Sequence, residues 1–437
     1  MDLINLKAIF SSYGCKKVYV KKLAPNDNSK NQVYLAGSFD ILNIFPIKEI
    51  LNEPAGDWKK ERFKAKIDFS WVVEDGTLSD APYSQLILYP KYPEVRFSGF
   101  LLRSKKAPSK LMATRLADRL LFLGVTDKGK ILGYVASPDS PLAKEVNNNS
   151  FDNYGVFRII ELSLFEDNRV KLISELFRIY NMGWIKSKRL DSVGNVMVCE
   201  SPNCGGYTLE AELGITPNGF SEPDFLGWEV KQFGVDNFEK INSKVITLMT
   251  PEPTHGYYKT DGAEAFIRKY GYNDLNGVPD RMNFGGIHRA GELHHRTNLR
   301  MEVMGFDNET GKIRNTDGAI VLVDDKGREA ASWSFSSMLL HWNRKHNQAC
   351  FVPSMSENNG GRSYKYGNKV IIGVGTDFQL FLEQMVKGNV YYDPGIKLEN
   401  ISTKPKVKKR SQFRVKSGDL QSLYKTSEIL DLTQNNS

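Results

Sequence analysis

The run from Gly205 to Phe233, GGYTLEAELGITPNGFSEPDFLGWEVKQF, carries four residues that could do chemistry together: Glu210, Asp224, Glu229 and Lys231. Two carboxylates and a backbone carbonyl, those of Asp224, Glu229 and Val230, make an all-oxygen donor set of the kind Mg2+ prefers, with positions left for water and a substrate phosphate. An ion held there polarises a phosphoryl oxygen and activates water for in-line attack. Lys231, two residues beyond Glu229, can hold the attacking water or stabilise the charged transition state.

The elements that must position these groups follow from the spacing. TLEAELGI predicts a helix with Leu209 and Leu213 on one face, Glu210 beside that apolar stripe and Glu212 pointing elsewhere. TPNG breaks the helix. FLGWEVKQF then predicts a strand on which Gly227, Glu229, Lys231 and Phe233 share one face, opposite Trp228, Val230 and Gln232. Asp224, just before the bend at Gly227, can curl back toward Glu229 and Lys231. Alternating opposite charges usually mark a solvent-facing edge strand. Phe225, Leu226, Trp228, Val230 and Phe233 instead suggest a central strand. There Glu229 and Lys231 are costly unless paired or bound to metal.

PDFLGWEVK fits the Pro-Asp-x(n)-Glu-x-Lys signature of the PD-(D/E)XK nucleases. The larger block GGYTLEAELGI…N…PDFLGWEVKQ resembles the catalytic core of the MvaI/BcnI restriction endonucleases, relatives of the mismatch-repair nickase MutH. The gap from Asp224 to Glu229 and the upstream position of Glu210 agree with that family. The resemblance implies that Asp224 and Glu229 bind metal, that Lys231 is the catalytic lysine, and that Glu210 assists from its helix. It extends through MGWIKSKR, LMTPEP, HWNRKH, YYDPG and KRSQFRV, and thins between about Asn273 and Ile313. Enzymes of this family are similar to monomeric clamps that read a short duplex site through the grooves, and on that resemblance Arg410 and Arg414 would reach guanine edges or phosphates. Phe413 would anchor the strand, and Lys408 and Lys409 would contact phosphates. Arg344 and His346, in HWNRKH, are further candidates for facing DNA, with core packing or an ordinary surface as the alternative.

At 437 residues the chain is long enough for two domains, since single cores stop growing at roughly 250–300 residues. With 41% hydrophobic and 25% charged residues it reads as an ordinary soluble globular protein. No run of about 18 apolar residues suggests a membrane span, and the N-terminus lacks the pattern of a signal peptide. A cytoplasmic location is expected. Four cysteines are too few for a disulfide scaffold, and Cys199 and Cys204 lack the second Cys/His pair of a zinc finger. All four are expected to be reduced. The net charge of +8 leans toward a polyanionic partner, and TKPKVKKRSQFRVK concentrates basic residues near the C-terminus.

Along the chain, KAKIDFSWVV, SQLILYPKYPEVRFSGFLL and RLLFLGVTDKGKILGYVA predict strands, and FPIKEILNE and PSKLMATRLADRL predict helices. SPDSPLAKEVNNNSFDNYG, rich in Asn, Ser, Asp and Pro, reads as a loop or linker. Beyond it, SLFEDNRVKLISELFRIYNMGWIKSKR has apolar residues at helical spacing (Val170, Ile173, Leu176, Phe177, Tyr180) and predicts a helix, GAIVLVDD a strand, FSSMLLHWNRKH a helix, ACFVP and KVIIGVG strands, and DFQLFLEQMVKG a helix. GELHHRTN, with His294 and His295, reads as a surface loop, and GGIHRAG as a flexible one. The expected architecture is α/β (α+β). Residues 162–437 form a PD-(D/E)XK endonuclease domain with a mixed sheet flanked by helices, and residues 1–161 a strand-rich accessory or DNA-binding domain.

These readings converge on a Mg2+-dependent, sequence-specific double-stranded DNA endonuclease of type II restriction class, with Mn2+ as a substitute metal, acting as a monomer beside a cognate DNA methyltransferase. One alternative is a MutH-like nicking or gated defence nuclease. Another is a DNA-binding protein without catalysis, against which the intact set of Glu210, Asp224, Glu229 and Lys231 argues.

Overall fold

A computed structural model describes residues 1–25, 31–56, 61–91, 94–162, 168–201, 203–216, 224–342 and 346–434. The chain divides into two compact units, Met1–Phe165 with Arg314–Thr316, and Glu166–Ile313 with Asp317–Ser437. Among the described residues no helix is long and apolar enough to cross a membrane.

The first unit is built on two sheets. Its seven-stranded sheet has Lys17–Leu23, Arg119–Val125 and Ile131–Ala136 at its middle, and its five-stranded sheet runs Val33–Ala36, Glu94–Ser98, Gln85–Tyr89, Arg62–Lys66, Glu49–Glu53. Leu6, Phe10, Val18, Phe122, Leu132, Val146 and Ile160 fill one core. Two segments depart from the sequence expectation. FPIKEILNE contributes the strand Glu49–Glu53, whose Ile50 alone is buried and pairs with Ala65 of Arg62–Lys66. A partner strand, absent from local sequence, decides that pairing. The expected linker SPDSPLAKEVNNN contains the helix Pro141–Asn148, started by Ser140, whose side chain accepts from the Ala143 N–H. Its Leu142, Ala143 and Val146 are buried, so the Pro after a capping Ser was the signal that composition masked. PSKLMATRLADRL keeps only a short helix, Ser109–Ala113, before the strand Arg119–Val125.

In the second unit, the predicted helices appear at Asn168–Asn181, Phe335–Trp342 and Phe378–Val386, and the predicted strands at Ala319–Val323, Gln348–Asn358 and Lys369–Val374. The strand Glu229–Gly234 runs parallel to Gln348–Asn358, which pairs antiparallel with Lys369–Val374, and that in turn with Thr426–Asp431. Register sorts the two faces of this sheet. Val230 lies beside Cys350 and Ile372, on the face that packs Leu172, Leu176 and Ile179 of the first helix and Leu209 of Cys204–Glu212. Glu229 lies beside Ala349 and then Gly373, and Lys231 beside Phe351, on the other face.

Candidate active site

The strand Glu229–Gly234, which carries the candidate residues Glu229 and Lys231, enters through a tight hairpin. Phe225 and Trp228 exchange both backbone hydrogen bonds, 2.9 and 2.8 Å. Between them Leu226 and Gly227 both have positive φ, 50° and 91°. Two positive-φ residues at the centre of a two-residue hairpin mark a type I′ turn, for which Gly suits the second position and Leu is an unusual first. Asn168 at the start of its helix donates to the Leu226 carbonyl at 2.9 Å, tying the turn to that helix. The hairpin holds Asp224 one residue before its first paired position and Glu229 one after its last. The bend expected at Gly227 is thus a hairpin turn. The helix-breaking TPNG lies largely outside the described residues.

Glu229 is 1% exposed, and the Lys231 ammonium lies 2.6 Å from its Oε1. The alternation predicted from sequence places both on one face, and their pairing answers the cost of burying charge on a strand. Asp224 is half-buried, while Val230 is buried with its side chain in the core, leaving only its backbone carbonyl as a donor. The acids thus have separate settings, one deep and paired with a lysine, the other nearer solvent. Among the described residues no cluster of three or more His, Cys, Asp or Glu side chains is arranged to hold a metal. The oxygen set of Asp224, Glu229 and the Val230 carbonyl draws on only two side chains.

Glu210 sits half-buried on the helix Cys204–Glu212, which begins ahead of the predicted TLEAELGI. This helix approaches the site strand closely at Gly205, where a Cβ would come within 2.8 Å of the Gln232 side chain. Gln232 in turn donates to the Ser354 hydroxyl at 2.7 Å, and the Tyr366 hydroxyl donates to the Gly205 carbonyl at 2.7 Å. Burial raises the Tyr366 phenol above its usual range, with neighbouring Tyr364, Glu212 and Glu210 adding to it. Glu212, expected to point away from the apolar stripe, is an anchor whose side chain is 7% exposed: the Lys188 ammonium lies 2.6 Å from it and the Arg178 guanidinium 3.6 Å. One turn earlier, Thr208 accepts from the Lys188 N–H at 3.1 Å and donates to its carbonyl at 3.2 Å. The spacing Thr208 to Glu212, one helical turn, was the available signal.

The basic C-terminal segment is a paired strand. Phe413–Lys416 lies between Val245–Met249 and Val390–Tyr392. Phe413, expected at the DNA surface, is fully buried against Trp333, Phe381 and Tyr392. Its ring fixes this strand in the core. Arg414 is held by Asp393 at 2.6 Å and is a quarter exposed. Lys408 pairs with Glu399 at 2.7 Å, and Lys409 lies 3.7 Å from Glu252. Arg410 is exposed, and no carboxylate among the described residues pairs with it. His346 is 1% exposed and stacks on Trp342 at 4.4 Å, so the core reading holds for it; Arg344 lies outside the described residues. His294, expected on a surface loop, is buried with its ring 4.3 Å from His288, and both share the Thr297 hydroxyl at 3.0 Å; His295 is exposed. Cys15 and Cys350 are buried free thiols, but Cys199 and Cys204 form a disulfide, against the expectation of four reduced thiols. The turn into the helix brings their Cα atoms to 5.7 Å, a distance the linear sequence does not reveal.

The sequence model of the MvaI/BcnI restriction endonuclease family matches residues 173–424, from within the first helix of this unit through the site strand to Tyr424. Among solved structures, the chain is similar to restriction endonuclease MvaI in a cognate DNA substrate complex, 18% identical over 61% of this chain and 99% of that one, with a TM-score of 0.45. It is also similar to MvaI in the absence of DNA, again 18% identical over the same shares, with a TM-score of 0.35. No relative is found among curated protein sequences. The α+β fold and the matched family define a type II site-specific deoxyribonuclease, a restriction endonuclease. The chain belongs to the MvaI/BcnI restriction endonuclease family.

Proposed function

We propose that this enzyme hydrolyses phosphodiester bonds of double-stranded DNA within a short specific sequence, with Asp224, Glu229 and Lys231 as its catalytic centre and Glu210 in support. The observation that carries this reading is the Lys231 ammonium 2.6 Å from a Glu229 carboxylate that is almost wholly buried. Burying such a pair costs several kcal/mol per ion unless the charges are used or fully compensated, so a strand interior is an expensive place for a merely structural one.

The residues fit a hard divalent cation. Asp224, Glu229 and the Val230 carbonyl offer oxygen donors only, and Mg2+ binds through one or two carboxylates with water and substrate phosphate completing its shell. When bound, such an ion supplies Lewis-acid stabilisation of charge on the phosphoryl group. Lys231 orients the attacking water and answers negative charge as it develops, and its pairing with Glu229 holds the ammonium on the site face of the strand. Mn2+, with the same preference for oxygen ligands, would substitute.

DNA is gripped through cations. Arg410, exposed and without a carboxylate partner among the described residues, is the leading contact, with Lys408 and Lys409 as phosphate contacts that trade Glu399 and Glu252 for DNA. Arg414 reads bases only if it leaves Asp393. Residues 1–161 serve as an accessory or DNA-binding domain to an endonuclease domain of residues 162–437, which works as a monomer and is matched in its host by a methyltransferase of the same site. The test is cleavage of mixed-sequence duplex DNA with Mg2+ or with EDTA, by wild type and Asp224→Ala, with the ends mapped. Discrete ends that need Mg2+ and vanish in the variant support the reading. Equal cutting by both proteins sinks the site, and cutting in EDTA sinks the metal.

A further inference from the structure

The face of the sheet that carries Glu229 has a second feature. Across from Glu229 the row continues through Ala349 to Gly373, the two smallest residues a strand can carry. Their smallness is used. The ring of Tyr424 lies over Gly373 so closely that a Cβ there would come within 2.4 Å of its Cδ2. On its other side the ring meets Phe351, the neighbour of Lys231 in register, edge-on at 6.2 Å. Tyr424 thus occupies the trough of small residues that begins at Glu229, on the same face as the Glu229–Lys231 pair.

The tyrosine is 7% exposed, and its hydroxyl is buried with no hydrogen-bond partner among the described residues. Buried hydroxyls are rarely left without an acceptor, and one that is points to a group that moves or to a bound species. A phenylalanine would fill the trough equally well, so packing alone does not account for the oxygen. Burial pushes the phenol well above its usual range, and the charge of Glu229 pushes it further in the same direction.

Resting on the active-site reading above, we infer that Tyr424 is a positioning residue, whose hydroxyl donates to the Glu229 carboxylate and fixes its orientation when Lys231 turns from it toward substrate. Lys231 now holds Glu229. As the ammonium turns to the scissile phosphate, a hydrogen bond from Tyr424, on the same face of the sheet, keeps one Glu229 oxygen directed at the cation. Outer partners that orient a metal-binding carboxylate commonly change metal affinity by about 10–100-fold when removed.

The test uses the full chain and Tyr424→Phe, which keeps the ring over Gly373 and removes only the oxygen. Calorimetric titration of Ca2+ into each protein bound to uncleaved duplex gives metal affinity without turnover, and the Mg2+ concentration for half-maximal cleavage gives it with turnover. The expected result is that Tyr424→Phe melts within a few degrees of wild type, binds Ca2+ about tenfold more weakly, and needs about tenfold more Mg2+, with its rate restored at saturating Mg2+. A filler role, which the phenylalanine ring performs equally well, would leave the melting temperature and both metal midpoints in place. Unchanged Ca2+ affinity and Mg2+ midpoint in Tyr424→Phe, beside wild-type cleavage that depends on Asp224, would overturn the inference alone. A wild type whose Ca2+ binding and cutting do not depend on Asp224 would overturn the active-site reading, and the inference with it.

Discussion

At the scale of single residues, the proposed mechanism gives Glu229 and Lys231, paired at 2.6 Å, two different tasks. The carboxylate is buried and can be fixed in place, while the lysine is a fifth exposed and can swing toward a ligand. Substituting either should therefore remove chemistry more than stability. Lys231→Ala is expected to lower single-turnover cleavage by at least about 10²–10³-fold, the loss typical of one transition-state donor, while duplex binding in Ca2+ persists. Cleavage within a few-fold of wild type would take Lys231 out of the mechanism. Arg410→Ala should leave the rate on the preferred site nearly intact and relax discrimination among related sites; identical specificity profiles, read by sequencing the cut ends, would remove it from recognition. Phe413 and His346 show the limit of reading residue types in isolation, since an aromatic between arginines looks like surface in the sequence, a histidine beside basic residues is left open between DNA-facing, surface and core, and both are core in the fold.

At the scale of elements, the hairpin before Glu229 depends on backbone geometry that its sequence only half supports. Gly227 is suited to its φ of 91°, whereas Leu226 at 50° is not. Leu226→Asn, the residue that favours this first turn position, should raise stability by about 0.5–1 kcal/mol in chemical denaturation without loss of cleavage. Gly227→Ala should cost about 1–2 kcal/mol, with a slower cut because the turn sets the separation of Asp224 from Glu229. No change in either stability or rate would mean that the turn adapts freely. The neighbouring helix Cys204–Glu212 is secured differently, through the Glu212 carboxylate and its ion pair with Lys188, so Glu210 is carried on an element fixed at its last turn.

At the scale of the whole molecule, charge sets both binding and tolerance of acid. A net charge of +8, with the phosphate contacts proposed above, predicts steep salt dependence: non-cognate duplex affinity should fall by about 10³-fold from 50 to 200 mM salt if roughly six phosphates are contacted. A flat salt response, measured by fluorescence anisotropy, would argue against backbone contacts as the source of affinity. Stability should also fall on acidification in two stages. Burial, with the nearby charge of His294, lowers His288 from 6.5 to about 3, so the unfolded chain takes up a proton that the folded one refuses; stability is complete above 6.5 and is lost as pH falls toward 3. Glu53 is lowered from 4.5 to about 2, chiefly by its hydrogen bond from Arg62, and its contribution is lost as pH falls through that lower window. The melting temperature should therefore begin to drop below about pH 6.5, and His288→Gln should flatten that first slope.

The sequence by itself determined the strand that carries Glu229 and Lys231, the side of it that they share, the helix carrying Glu210 and the family, because period-two alternation and short-range spacing are local properties of the chain. It also located the helices Asn168–Asn181, Phe335–Trp342 and Phe378–Val386 and the strands Ala319–Val323, Gln348–Asn358 and Lys369–Val374 of the second unit, where apolar periodicity is strong. Tertiary structure alone decided the rest: the strand at Glu49–Glu53, the Cys199–Cys204 disulfide, the burial of Phe413 and His346, and the placing of Tyr424 over Gly373 beside Glu229. Each depends on a partner or a turn that local pattern does not specify, and burial is a property of the surroundings a residue acquires, which residue type and spacing leave open.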